Sequence, residues 1–291
     1  MAIDQRTPTT ARETTSRGAV HLSIALAVVA FAAGSLTFLS GFLVGPEVMQ
    51  GSARGTALMM SLVAAPVLFV AAWRTLQGST RWLFVWGGMS MFLVYNSFML
   101  LTATPINRLF LLYVAAFGLA VATLIAVARS VDADAVARRC APAMRVRPIA
   151  VYLGATVVLN ALAWLGRIVP ATVSDRMPDL VEGMGIATVP TYLQDLALWL
   201  PLIAVGAWQL WHRRPWGYVI AGGALAFWTL EAATVAVDQW FGHRADPMSD
   251  IASDAVVVPF AVLAAITAVV FWSFLRHVAD DSDSAAPSSR I

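Results

Sequence analysis

The sequence predicts an all-α integral membrane protein, a bundle of about eight transmembrane helices arranged as two parallel four-helix repeats. Three observations carry that prediction. Apolar residues come in blocks long enough to cross a bilayer, arginine alternates between the joints, and the chain matches itself at an offset of 135 residues.

Of the 291 residues, 59% are hydrophobic and only 12% are charged. A soluble domain carries about twice that charged fraction, and this much apolar side chain exceeds what one water-soluble core can enclose. Eight blocks of about 20 apolar residues match the thickness of a hydrocarbon core. They run roughly over Val20–Val44, Thr56–Leu76, Trp82–Ala103, Leu109–Val127, Ile149–Val169, Thr191–Trp211, Trp216–Val237 and Ala255–Leu275. Continuous apolar runs fit helices, which satisfy every backbone amide within the segment, and not the alternating segments of a β-barrel. The first block is longer than the apolar region of a signal peptide and is read as an uncleaved helix.

The joints orient the bundle. Arg6, Arg12 and Arg17 precede the first span, Arg74 and Arg81 flank the second joint, and Arg129, Arg138, Arg139, Arg145 and Arg147 crowd the fourth. Arg213 and Arg214 fill the sixth, and Arg276 follows the last span. The odd joints are poorer in arginine and hold Glu47, Asp175, Asp179, Glu182, Asp246 and Asp250. The positive-inside rule then places both termini in the cytoplasm. Trp82 and Trp216 fit interfacial anchors. The net charge of +2 gives no reason to expect nucleic acid as a partner.

Spans two and three match spans six and seven without a gap. Thr56, Leu58, Pro66, Trp73, Gly87, Gly88 and Phe92 align with Thr191, Leu193, Pro201, Trp208, Gly222, Gly223 and Phe227. Two halves of four spans keep the same orientation, so the pseudo-axis lies along the membrane normal. The resulting divisions are a disordered cytoplasmic tail (1–18), a first four-helix repeat (19–129), an Arg-rich cytoplasmic linker (130–148), a second repeat (149–278) and an acidic disordered tail (279–291).

The alignment sets Asn96 opposite Glu231. At 1.5 Å of rise per residue, each lies about 22 Å above the inner boundary, Asp195 about 25 Å and Asn160 about 20 Å. Tyr95, Tyr113, Tyr192 and Gln194 lie near this layer, and Arg167 sits just above it. A carboxylate at that depth costs about 3 kcal/mol on insertion scales, so it faces the bundle interior and needs a partner. Asp195 and Glu231 on neighbouring spans are the candidates for one site, with Arg167 as a partner for either. The alternative for the whole layer is helix–helix hydrogen bonding. Asp238, Asp250 and Asp254 are expected at the solvated outer edge.

Other chemistry lacks its signature. His21, His212, His243 and His277 show no paired spacing for zinc or haem, and the chain has no nucleotide loop and no Gly-x-Ser-x-Gly elbow. No metal or cofactor is expected. Cys140, the single cysteine, allows no internal disulfide and reads as an unreactive thiol. Gly41 with Gly45, and the two Gly pairs, read as close-packing devices.

The run "YNSFMLLTATPINRLFLLYVAAFGLA" from Tyr95 to Ala120 resembles a family of bacterial multi-spanning membrane proteins, mostly from high-GC species, with no assigned activity. "LQDLALWLPLIAVGAWQLWHRRPWGYVIAG" from Leu193 to Gly222 resembles it too, through Asp195-Leu196 and Pro215-Trp216-Gly217-Tyr218. Members often carry an acidic residue before span two, where this chain reads Gly55-Thr56-Ala57. The resemblance implies a bacterial cytoplasmic membrane and brings no activity with it.

Three readings follow. The first is transport or sensing, with an outward-facing polar pocket around Asp195 and Glu231 for a cation, a proton or a polar head group. The second is a non-catalytic scaffold or partner subunit of a membrane complex. The third, disfavoured by the missing nucleophile and metal constellations, is an enzyme acting on a lipid.

Overall fold

A computed structural model of the chain describes residues 7–140, 142–174, 181 and 184–279, with side chains from Arg17 onward. Eight helices in it are long and apolar enough to cross a membrane. They are α1 (Thr7–Leu39), α2 (Glu47–Leu76), α3 (Thr80–Thr102), α4 (Phe110–Ser130), α6 (Val146–Val173), α7 (Pro190–Trp211), α8 (Pro215–Ala245) and α9 (Asp254–Leu275). A short helix, α5 (Ala133–Arg139), lies in the linker, capped by Asp132, whose carboxylate accepts from the Ala135 amide. The chain is a multi-pass membrane protein.

Several boundaries differ from the sequence reading. The polar stretch expected to be disordered is helical from Thr7, with Pro8 in the first turn, where its missing N–H leaves no bond unmade. Residues 1–6 and the acidic tail from 280 lie outside the described residues. So do Asp175, Met177, Asp179 and Glu182. The first span stops at Leu39, so Gly41 and Gly45 stand in the following turn. Gly45 has φ +104° and Gly41 has nothing near its missing Cβ, so this pair does not pack helices. Gly34 does: a Cβ there would stand 2.5 Å from the Ala57 carbonyl oxygen of α2.

The central helix is α8, which packs along α2, α3, α7 and α9. It runs beside α3 in the same direction, and their glycines let them touch. A Cβ on Gly88 would stand 2.4 Å from the Ala226 Cβ, and one on Gly222 would enter the Phe84 ring. Gly51 and Gly242 bring α2 equally close to α8. In the first half, α1 packs against both α2 and α4. In the second, α6 packs chiefly on α7, and its link to α9 is the Tyr152–Thr267 hydroxyl pair.

Both α2 and α7 contain one π-turn, at Met60–Ala64 and Asp195–Trp199. Each is closed by an i→i−5 bond, Ala65 N–H to the Met60 carbonyl and Leu200 N–H to the Asp195 carbonyl. Pro66 and Pro201 follow immediately. A proline lacks the donor for the i−4 carbonyl and its ring crowds that carbonyl. The wider π-turn gives the ring room.

The even joints form one end of the bundle. Arg81 Nε donates to the Val278 carbonyl at 3.0 Å, and the Ala279 amide donates to the Arg139 carbonyl at 2.9 Å, so the C-terminal segment is pinned beside the linker. Cys140 is buried there, and burial pushes its thiol up to about 12, which keeps it protonated. At the same end Arg147, Arg214 and Arg276 lie over the rings of Trp211, Trp208 and Trp272. Trp216 is half-exposed and Trp82 packs partly against the core.

Candidate polar site in the bundle

Asp195 opens the π-turn of α7, about 8 Å below the first residue of that helix. Only 6% of the residue is exposed. Its Oδ2 accepts a hydrogen bond from Trp164 Nε1 of α6 at 2.7 Å, and the Tyr95 side chain of α3 lies on the same side of the cluster. Glu231 projects from α8, and its Oε2 accepts from Asn96 Nδ2 at 2.7 Å. The same Asn96 nitrogen donates to the Phe92 carbonyl at 3.2 Å, which fixes the amide's orientation. Asn96 and Glu231, aligned at 135 residues, therefore meet face to face across α3 and α8.

Gln194 extends the cluster. Its Oε1 accepts from Trp199 Nε1 at 3.1 Å, and its Nε2 donates to the Tyr95 carbonyl at 3.5 Å. The rings of Tyr95, Trp199 and Phe227 pack with centroids 5.4–6.2 Å apart, walling the carboxyls on one side. Asp195 and Glu231 are brought to the same stretch of α3, since Gln194, next to Asp195, bonds to the Tyr95 carbonyl and Glu231 bonds to the following residue, Asn96.

Asp238 joins the same row, contrary to the expectation that it is solvated. It lies two turns beyond Glu231 on α8, because that helix continues to Ala245 rather than stopping at Val237. Its Oδ2 accepts from Thr56 Oγ1 of α2 at 3.0 Å, while Oδ1 is out of contact with solvent and has no hydrogen-bond partner among the described residues. The charge of Glu231 also reaches it. Ser52 Oγ bonds to its main-chain carbonyl at 3.3 Å. Trp164, Trp199, Thr56 and Asp238 are members that sequence reasoning did not assign to the site.

Three of the expected residues lie elsewhere. The Tyr113 hydroxyl pairs with Thr37 Oγ1 at 2.7 Å in the seam of α1 and α4. Asn160 is half-buried on α6 and has no hydrogen-bond partner among the described residues. Arg167 is exposed on α6 and, among the described residues, forms no ion pair with Asp195 or Glu231. Depth alone had grouped them, and depth says nothing about which way a side chain faces around its helix.

Asp195, Asn96 and Gln194 are buried in the cluster, and Glu231, Trp164 and Asp238 are half-buried. A groove of about 670 Å³ lies apart from it, lined by Gly41, Phe42, Val44, Ile106, Asn107 and Arg108. A smaller hollow of about 180 Å³ sits beside the linker helix. No group of three metal-ligating residues occurs among the described residues. Comparison of the chain with protein-family models, curated proteins and solved structures returns no match.

Proposed function

We propose that this protein transports or senses a small cation, most simply a proton, through the carboxyl pair Asp195 and Glu231. The supporting observation is the pair itself. Two acidic side chains from neighbouring spans reach one polar cluster at membrane depth, bonded to the neutral donors Trp164 and Asn96. Among the described residues neither has an Arg or His in ion-pair contact. Neutral donors do not cancel charge, and two carboxylates in one low-dielectric layer need a proton or a cation.

The site is reached from the outer side of a bacterial cytoplasmic membrane, with both termini inside. The arginine count of the even joints supports this orientation, with three Arg–Trp pairs at that end against one, Arg244 on Trp240, at the other. The two halves descend from one four-helix unit. Three features support that history: the π-turns begin 135 residues apart, at Met60 and Asp195, the 12-residue segments after them at Ala65 and Leu200, and the next helices at Thr80 and Pro215. One observation favours the second reading, a partner subunit: the Asn160 amide, at membrane depth, has no bond within the described chain.

The test is proton flux into proteoliposomes, followed with an enclosed pH-sensitive dye. Asp195→Asn and Glu231→Gln are each expected to lower the rate at least tenfold while inserting and eluting like the parent. Parental flux in both variants overturns the proposal.

A further inference from the structure

We infer that Trp164 is a positioning residue for the site: its indole N–H ties the half of α6 nearest the fifth joint to Asp195, and that half swings away when the carboxylate is neutralised by a bound proton. The inference rests on the reading of Asp195 as an ion-carrying group.

The bond is the main polar tie of this part of α6. Trp164 Nε1 donates to Asp195 Oδ2 at 2.7 Å, a length typical of a charge-assisted bond. Around it the helix is thinly packed. Beyond Leu153 no described residue of α6 is buried: Leu159, Leu162, Leu165 and Val169, on one face, are 43–69% exposed, and the opposite side holds only half-buried side chains, Asn160, Trp164 and Ile168 among them. Below this region α6 is held better, with Ile149, Ala150 and Leu153 buried. One end of the helix is therefore anchored and the other is held by few contacts.

Two further features fit a moving element. Asp195 stands at the first residue of a π-turn, where the backbone ladder is already interrupted ahead of Pro201. The Tyr192 ring lies against Trp164 with centroids 4.6 Å apart and planes at 32°, and Tyr192 is only 4% exposed, yet its hydroxyl has no partner among the described residues. A buried hydroxyl left unbonded is a cost carried by the arrangement that sets Tyr192 against Trp164.

The groups facing Asp195 are the Tyr95 hydroxyl from α3, the Trp164 indole from α6 and the Glu231 carboxyl from α8. Of these only Tyr95 and Glu231 titrate. A proton arriving from solvent binds a carboxylate oxygen of Asp195, and no other bond forms or breaks except the hydrogen bond to Trp164. Hydrogen bonds to an ionised acceptor are roughly twice as strong as those to a neutral one, so protonation weakens the tie enough for the thinly packed half of α6 to leave it.

Spin labels test this. Cys140→Ala removes the native thiol, and Val169→Cys on α6 with Ile106→Cys on the third joint place labels at two exposed positions. Electron–electron distance distributions are recorded on the full chain in lipid nanodiscs at low and high pH. The expected result is a shift of several ångströms between the two pH values. Trp164→Phe, which keeps a ring, abolishes the shift. Asp195→Asn holds the low-pH distribution at both values, and Glu231→Gln still shifts. An unchanged parent distribution, or a pH-dependent shift that survives in Trp164→Phe, overturns the inference. A static distribution together with lost flux in Asp195→Asn would reject the gate and leave the ion reading standing. A mobile distribution with parental flux would do the reverse.

Discussion

At Gly55 the missing side chain lets α2 approach α8 until an added Cβ would stand 2.8 Å from both Cα and Oδ1 of Asp238. Backbone cannot yield to that contact, so Gly55→Ala must push the helices apart. Overpacking of this kind costs about 1–3 kcal/mol, and the change also separates Thr56 from Asp238. Thermal unfolding in detergent is expected to show a lower midpoint for Gly55→Ala, whereas Gly87→Ala, at a position with nothing near its missing Cβ, keeps the parental midpoint. The sequence made Glu231 and Asn96 visible because a self-alignment pairs them. It concealed Asp238 because two ends were misjudged: α2 begins at Glu47 rather than Thr56, and α8 runs on to Ala245. Both errors have one cause. Polar residues that pack against a neighbouring helix extend a helix past the point where its own hydropathy falls.

The elements of greatest consequence are the two π-turns. Each precedes a proline at the second position of the next helical segment, and each turns the residue at its start toward the neighbouring spans. In α2 that residue is Met60, fully buried, and in α7 it is Asp195. The backbone device is thus shared while the chemistry sits in one half. Replacing either proline restores an amide donor and lets a regular α-turn form. Flux measurements on Pro201→Ala and Pro66→Ala separate the two roles. Pro201→Ala is expected to lose at least tenfold, because Asp195 rotates out of reach of Trp164, and Pro66→Ala to stay within twofold of the parent. Equal effects from both would place the importance of the π-turns in folding alone. The proline match was legible in sequence, but the π-turn was not, since no residue pattern distinguishes it from the kinked α-helix that a proline also permits.

For the whole molecule, eight apolar helices were legible from block length alone, because the thickness of a bilayer fixes how many residues must be apolar. Their mutual placement was not. Counting residues gives the height of a side chain, and height grouped Asn160, Arg167 and Tyr113 with Asp195. The direction each faces depends on which helices pack together, and here α8 takes the centre while α6 stands at the margin. That arrangement brings carboxyls from α7 and α8 to one place, and their sharing of one site is the claim on which the functional reading depends. Infrared difference spectroscopy of the purified protein across a pH titration tests it most directly. Interacting carboxyls titrate as a pair, so Asp195→Asn is expected to move the Glu231 carboxyl signal along the pH axis, and Glu231→Gln to move that of Asp195. If each variant instead loses one signal and leaves the other at its parental midpoint, the two groups do not share a site and the account is wrong.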